Sequence, residues 1–169
     1  MEQKDPFGTT ALPDIELISD DEAVRIRKVK TSTDHEPGKK FLILVVDDSA
    51  DNVAMLSLDL QHEGYRVVTA TDGEEAISVA RATLPNLILM DISMPKLDGL
   101  GATRRIREED ELRDVPVIAV TAFGTEGFQR AAYDVGVSGY LTKPIDFVRM
   151  HQLVAGLLAP KGSGRLIRP

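Results

Sequence analysis

The sequence predicts an α/β fold: a doubly wound parallel sheet in which five strands alternate with five helices. Two observations carry that prediction. Short apolar runs without polar alternation recur five times from residue 41 onward, the pattern of strands buried on both faces. Each run is followed by apolar residues three and four apart, which lie on one face of a helix. Right-handed crossovers then restrict the topology to a few doubly wound forms.

The first strand is "FLILVV" (41–46), and Val53, Leu56 and Leu60 mark the helix after it. "YRVVTA" (65–70) precedes a helix marked by Ala76, Ile77, Ala80 and Leu84. "NLILM" (86–90) precedes Leu97, Leu100 and Ile106, and "VPVIAV" (115–120) precedes Phe128, Ala131 and Val135. The last run, "GYLT" (139–142), precedes Phe147, Met150, Val154 and Leu157. Punctuation agrees with these assignments. Gly64 and Gly136 fall where the first and fourth helices should stop, and Asp72-Gly73 opens the second. Pro116 stands at the start of the fourth strand, where a missing N–H is tolerable.

The chain has 169 residues, a formal charge of −7 and no cysteine. Absence of cysteine excludes disulfides and thiolate metal sites, and it fits a reducing compartment such as the cytoplasm. The acidic balance disfavours non-specific binding to nucleic acid, which needs clustered Lys and Arg. No apolar run approaches the roughly 20 residues that span a bilayer, so membrane insertion is not expected. The N-terminus lacks the basic and apolar regions of a secretory signal. Acidity concentrates in the middle, where 18 Asp and Glu stand against 10 Lys and Arg between residues 41 and 158. Residues 40–158 therefore read as the domain. Residues 1–39 read as an N-terminal extension, a flexible or docking arm in which "AVRIRKVK" (23–30) is an imperfect strand signal. Residues 159–169 read as a basic C-terminal tail.

In an open α/β sheet the ligand crevice lies at the carboxyl ends of the strands, where the strand order reverses. Asp47 and Asp48 follow the first run, Asp91 the third, Thr121 the fourth and Lys143 the fifth. With the first and third strands as neighbours about 4.8 Å apart, three carboxylates come within reach of one ion. Such hard oxygen ligands suit Mg2+, which keeps part of its hydration shell. Lys143 and Thr121 add a positive charge and a hydroxyl, completing a set suited to a phosphoryl group. A carboxylate can also accept that group as an aspartyl phosphate. Each residue alone has a plainer reading. Asp47, Asp48 or Ser49 could cap the first helix, Thr121 is a good strand former, and a lysine before proline is usually solvated. Asn52, in the first helical turn, is expected to play a bland polar role, and His35, His62 and His151 to be surface or packing residues.

At these residues the chain resembles the receiver domain of two-component response regulators. The resemblance rests on "ILVVDDSADN" (43–52), "LILMDISMPKLDG" (87–99), "VPVIAVTA" (115–122) and "GYLTKPI" (139–145). It implies a flavodoxin-like (βα)5 sheet of order 2-1-3-4-5, with two helices on one face and three on the other. It also implies roles. Asp91 would be the phosphoacceptor, and Asp47, Asp48, Asp91 and the backbone carbonyl of Ser93 would hold Mg2+. Lys143, preceding a cis peptide to Pro144, would contact the phosphoryl oxygens, as would the N–H of Ala122. Thr121 would swing toward the phosphoryl group with Tyr140 turning inward behind it, and Gly99 would permit the backbone of the turn after the third strand. Bulky Phe123, two residues after Thr121, is expected to slow hydrolysis.

The implied function is that of a single-domain regulator, since no helix-turn-helix fits in the eleven residues after the fifth helix. A histidine kinase or histidine phosphotransfer protein would supply the phosphoryl group, and an unidentified protein target would read it through the helix 4–strand 5–helix 5 face. Beyond its own phosphoryl transfer and dephosphorylation no enzyme activity is expected. The oligomeric state is left open, with a phosphorylation-dependent dimer among the outcomes. Competing classes fit less well. An aspartyl phosphohydrolase would carry Asp-x-Asp after the first strand and a cap domain, and a flavin protein would place Ser, Thr and Gly donors there rather than two carboxylates. A receiver-like scaffold that is never phosphorylated is the third alternative.

Overall fold

The computed structural model describes residues 41–159, and the sequence readings for residues 1–40 and 160–169 lie outside them. Within this span the chain runs β1 (Leu42–Val46), α1 (Ala50–His62), β2 (Arg66–Ala70), α2 (Gly73–Thr83), β3 (Leu87–Asp91), α3 (Gly99–Glu108), β4 (Val117–Thr121), α4 (Glu126–Asp134), β5 (Gly139–Thr142) and α5 (Phe147–Leu158). The five strands form one sheet of order β2-β1-β3-β4-β5, every pairing parallel. The order reverses between β1 and β3, which places their carboxyl ends side by side.

Strand residues alternate between two cores. Leu44, Val46, Ile88, Met90, Ala119 and Tyr140 point toward Ala76, Ala80, Ala102, Ile106 and Ala132 of α2, α3 and α4. Ile43, Val45, Leu87, Leu89, Ile118, Val120 and Leu141 point toward Leu56 and Leu60 of α1 and Met150 and Val154 of α5. The three central strands β1, β3 and β4 are buried along their whole length. For these the continuous apolar runs were a faithful signal.

Several expectations need correction. β2 is an edge strand and half exposed, with only Ala70 fully buried, so its apolar run does not mark burial on both faces. Asp91 and Thr121 are the last residues of β3 and β4 rather than the first residues beyond them, and Pro116 precedes β4. Leu97 sits in the turn before α3. In α4 the buried residue is Ala132; Ala131 and Phe128 face solvent. The "MPKLDG" turn takes its positive φ, 66°, at Lys96. Gly99 does permit the backbone of this turn, as expected, because a Cβ there would lie 2.2 Å from the Asp91 carbonyl oxygen.

Helix ends follow local chemistry. Ser49, Asp72, Asp98 and Asp146 cap α1, α2, α3 and α5 by accepting backbone N–H bonds. Thr125, at the start of α4, makes no such bond. Gly64 and Gly136 take φ 92° and 95°, as their places after α1 and α4 require, whereas α2 ends with Leu84 in the left-handed region. At the amino end of the sheet, half-buried Arg107 of α3 donates to the carbonyls of Gly136 (2.8 Å), Val115 (2.8 Å) and Leu112 (3.4 Å).

Candidate functional site

β1 continues into Asp47, whose N–H still bonds the Ala70 carbonyl at 3.2 Å and so prolongs the ladder to β2. The sheet thereby delivers Asp47 almost wholly buried, at 1% exposure, while Asp48 projects to solvent. β3 ends in Asp91, 3% exposed. Carboxylate oxygens of Asp47, Asp48 and Asp91 all lie within 4.8 Å of one another. Two strands that are neighbours only because the order reverses there thus build one acidic cleft.

The charge of this cluster is partly offset by Lys143, which follows β5. Its Nζ donates to Asp47 Oδ2 at 2.8 Å and to Asp91 Oδ2 at 3.1 Å. Burial works against the ammonium charge, but the two carboxylates outweigh it and raise the lysine above its usual value. For Asp91 burial is the larger influence. It raises the carboxyl above the usual aspartate range, against the Ser93 N–H at 3.1 Å and the Lys143 ammonium, which both favour the charged form. Three carboxylates set against one ammonium give the cluster a formal charge of −2. The donor set is therefore all hard oxygen, clustered closely enough to share an ion, and short of two positive charges. It fits Mg2+.

Asp47 is held from three sides. Besides Lys143 it accepts the Ser49 N–H at 2.9 Å and two bonds from the Asn52 side-chain amide, each 3.1 Å. The contact from Asn52 was not foreseen from sequence, where the residue was given a bland polar role. The available signal was its place one helical turn beyond a serine cap.

On the opposite lip, Thr121 is fully buried and its Oγ1 accepts the Phe123 N–H at 3.1 Å. Tyr140 is 4% exposed, and its hydroxyl donates to the Phe123 carbonyl. Burial pushes the Tyr140 phenol up. The tyrosine thus already lies inward. Ala122, between these partners, is exposed, as is Ser93 after β3. The Phe123 ring is half exposed and stacks on Phe128 of α4, with centroids 4.8 Å apart. The Lys143–Pro144 peptide is cis. His151 packs α5 onto α1, with Nε2 2.6 Å from Asp59 Oδ2, and His62 is exposed.

The sequence-derived residues Asp47, Asp48, Asp91 and Lys143 thus converge, with Thr121 on the adjoining strand end. Among the described residues, no helix is long and apolar enough to cross a membrane.

Comparison with known proteins gives a consistent result. The family model for the response regulator receiver domain matches residues 43–155. The response regulator PleD of Caulobacter vibrioides is 40% identical over 115 residues, covering 68% of this chain and 25% of that protein. The chain therefore spans about a quarter of that relative's length. The polar-differentiation response regulator DivK of Brucella anthropi is 35% identical over 116 residues, covering 69% of this chain and 94% of that protein. Among solved structures, the receiver domain of a sensor histidine kinase from Pseudomonas aeruginosa has a magnesium ion coordinated in its active site cleft. It is 33% identical to this chain, with a TM-score of 0.66, and covers 71% of this chain and 98% of that one.

Proposed function

Since the chain belongs to the response regulator receiver family, we propose that it accepts a phosphoryl group on Asp91 from a histidine kinase or histidine phosphotransfer protein and signals in the cytoplasm by phosphorylation-controlled contact with another protein. The observation that carries this reading is the setting of Asp91. It is a buried carboxylate at the end of β3, 3.1 Å from the Lys143 ammonium and clustered with two further carboxylates.

In the transfer step an Asp91 carboxylate oxygen forms a bond to phosphorus as the phosphorus–nitrogen bond of a phosphohistidine breaks. The leaving imidazole takes up a proton. Asp47, Asp48, Asp91 and the Ser93 carbonyl would hold Mg2+, which supplies neutralisation of the phosphoryl oxygens' charge when bound. Lys143 remains charged beside Asp91, so it can follow a phosphoryl oxygen that takes the carboxylate's place. The Ala122 N–H is the backbone donor nearest in sequence to Thr121 and would bind a second oxygen.

Phosphorylation replaces one negative charge on Asp91 by about −1.5 to −2 and adds acceptor oxygens. The Thr121 hydroxyl, which accepts the Phe123 N–H, then gains a phosphoryl oxygen to which it can donate, and turning toward that oxygen draws it away from Phe123. That exchange biases the β4–α4 loop, and through it a protein-binding face formed by α4, β5 and α5. The downstream partner is another protein; nothing in the acidic charge balance favours nucleic acid.

The test is Mg2+-dependent labelling by a small acyl phosphate. Wild type should incorporate one phosphoryl group and Asp91→Asn none. Equal labelling of the two would overturn the phosphoacceptor assignment.

A further inference from the structure

We propose that Asn52 is a positioning residue for the divalent cation: its side-chain amide fixes the Asp47 carboxylate in the orientation that the ion requires. This rests on the metal reading given under Proposed function.

Asn52 lies in the first turn of α1, and its own backbone is fixed there, because its N–H donates to Ser49 Oγ, the helix cap, at 3.4 Å. From that position the side chain reaches back five residues. Its Nδ2 stands 3.1 Å from both oxygens of Asp47. The orientation of the amide follows from chemistry, since an ionised carboxylate only accepts and only the NH2 group can face it. Asp47 is 1% exposed, so with Asn52 in place its carboxylate is held by protein groups. Its remaining partners are the Ser49 N–H on Oδ1 and Lys143 on Oδ2.

The residue type matters. Lys143 orients Asp47 too, but it carries a positive charge, repels an incoming cation and must loosen its hold for the ion to engage Asp47 fully. An amide donates without charge. Asn52 can therefore keep its hold on the carboxylate in the metal-free and metal-bound states alike. An aspartate here would add like charge beside Asp47, and a leucine of similar size would leave the buried carboxylate short of two donor contacts. Partners that orient a ligand in this way commonly change metal affinity about 10–100-fold when removed.

The experiment is calorimetric titration of full-length, unphosphorylated protein with Mg2+, comparing wild type, Asn52→Leu and Asn52→Ala, with Asp48→Asn as a control for the site. Alanine is the second variant because it is helix-compatible and introduces no bulk at this half-buried position. We expect both Asn52 variants to bind Mg2+ about tenfold or more weakly than wild type. The half-saturating Mg2+ for acyl phosphate labelling should rise in parallel, with the labelling rate at saturating Mg2+ near that of wild type. A merely structural role would instead lower the metal-free melting temperature and leave Mg2+ affinity within about twofold, which would overturn the proposal. If wild type binds no Mg2+, or Asp48→Asn binds it equally well, the metal reading itself fails and takes this proposal with it.

Discussion

At Asp91 the balance of burial and charge makes a prediction whose sign can be worked out. Burial raises its carboxyl in the folded protein, so the charged form is penalised relative to the unfolded chain. The penalty is full above the raised folded value and fades as pH falls through it. Without metal, Asp91→Asn should therefore melt higher than wild type at neutral pH, and that advantage should vanish on acidification. Added Mg2+ should reverse the order, because wild type alone retains the full set of carboxylates. Differential scanning calorimetry at several pH values, with and without Mg2+, checks both signs. Phe123 carries a second prediction. Its ring is held by Phe128, so Phe123→Ala and Phe128→Ala should both speed loss of the phosphoryl group. A decay rate unchanged in Phe123→Ala would show that the ring does not shield the acyl phosphate. Asp47, Asp48, Asp91, Thr121 and Lys143 were legible as site candidates because each follows or ends an apolar run, and strand ends converge in this architecture. Asn52 was not, because its contact depends on how the Ser49 cap turns the chain. The pairing of Lys143 with Asp47, 96 residues apart, follows only from the crossover that seats β5 on the far side of β4.

Among the elements, those with both faces covered were the most legible. β1, β3 and β4 are buried throughout, so their composition carried the whole signal. β2 was misjudged because an edge strand of β-branched residues has the same composition at half the burial. The α4 register was misjudged because its large apolar residues, Phe128 and Tyr133, face solvent while only Ala132 enters the core. The second helix gives a pH prediction. The Glu75 N–H and Lys96 hold Asp72, the α2 cap, below the usual carboxylate range. Its contribution is present above the unfolded value and lost as pH falls through the depressed folded one. The melting temperature of wild type should exceed that of Asp72→Asn at neutral pH and converge with it well below about pH 3.9.

For the molecule as a whole, the sheet carries a separate core on each face. The α1–α5 side lies away from the Phe123–Phe128 contact, so Leu60→Ala should cost about 2–5 kcal/mol of stability while leaving acyl phosphate labelling intact in the folded fraction. Denaturant titration alongside labelling checks this. Every proposed site residue lies between 47 and 143, so a chain trimmed to residues 40–159 should still be labelled at Asp91. Loss of partner capture on that trimming would assign the binding role to the ends instead.

Arg107 gives α4 two dissimilar ends. The guanidinium moors the segment just past its carboxyl end, through the Gly136 carbonyl, to α3 and to the approach to β4. The amino end starts at Thr125 without a side-chain cap and is reached from Phe123. A helix tethered this way is expected to swing about its far end, as a door does about its hinge, rather than slide along the sheet. The largest travel would then fall at Phe128, which stacks on Phe123, and the least at Asp134. Amide exchange in the first turn of α4 should outpace that in its last, and Arg107→Met should erase the difference.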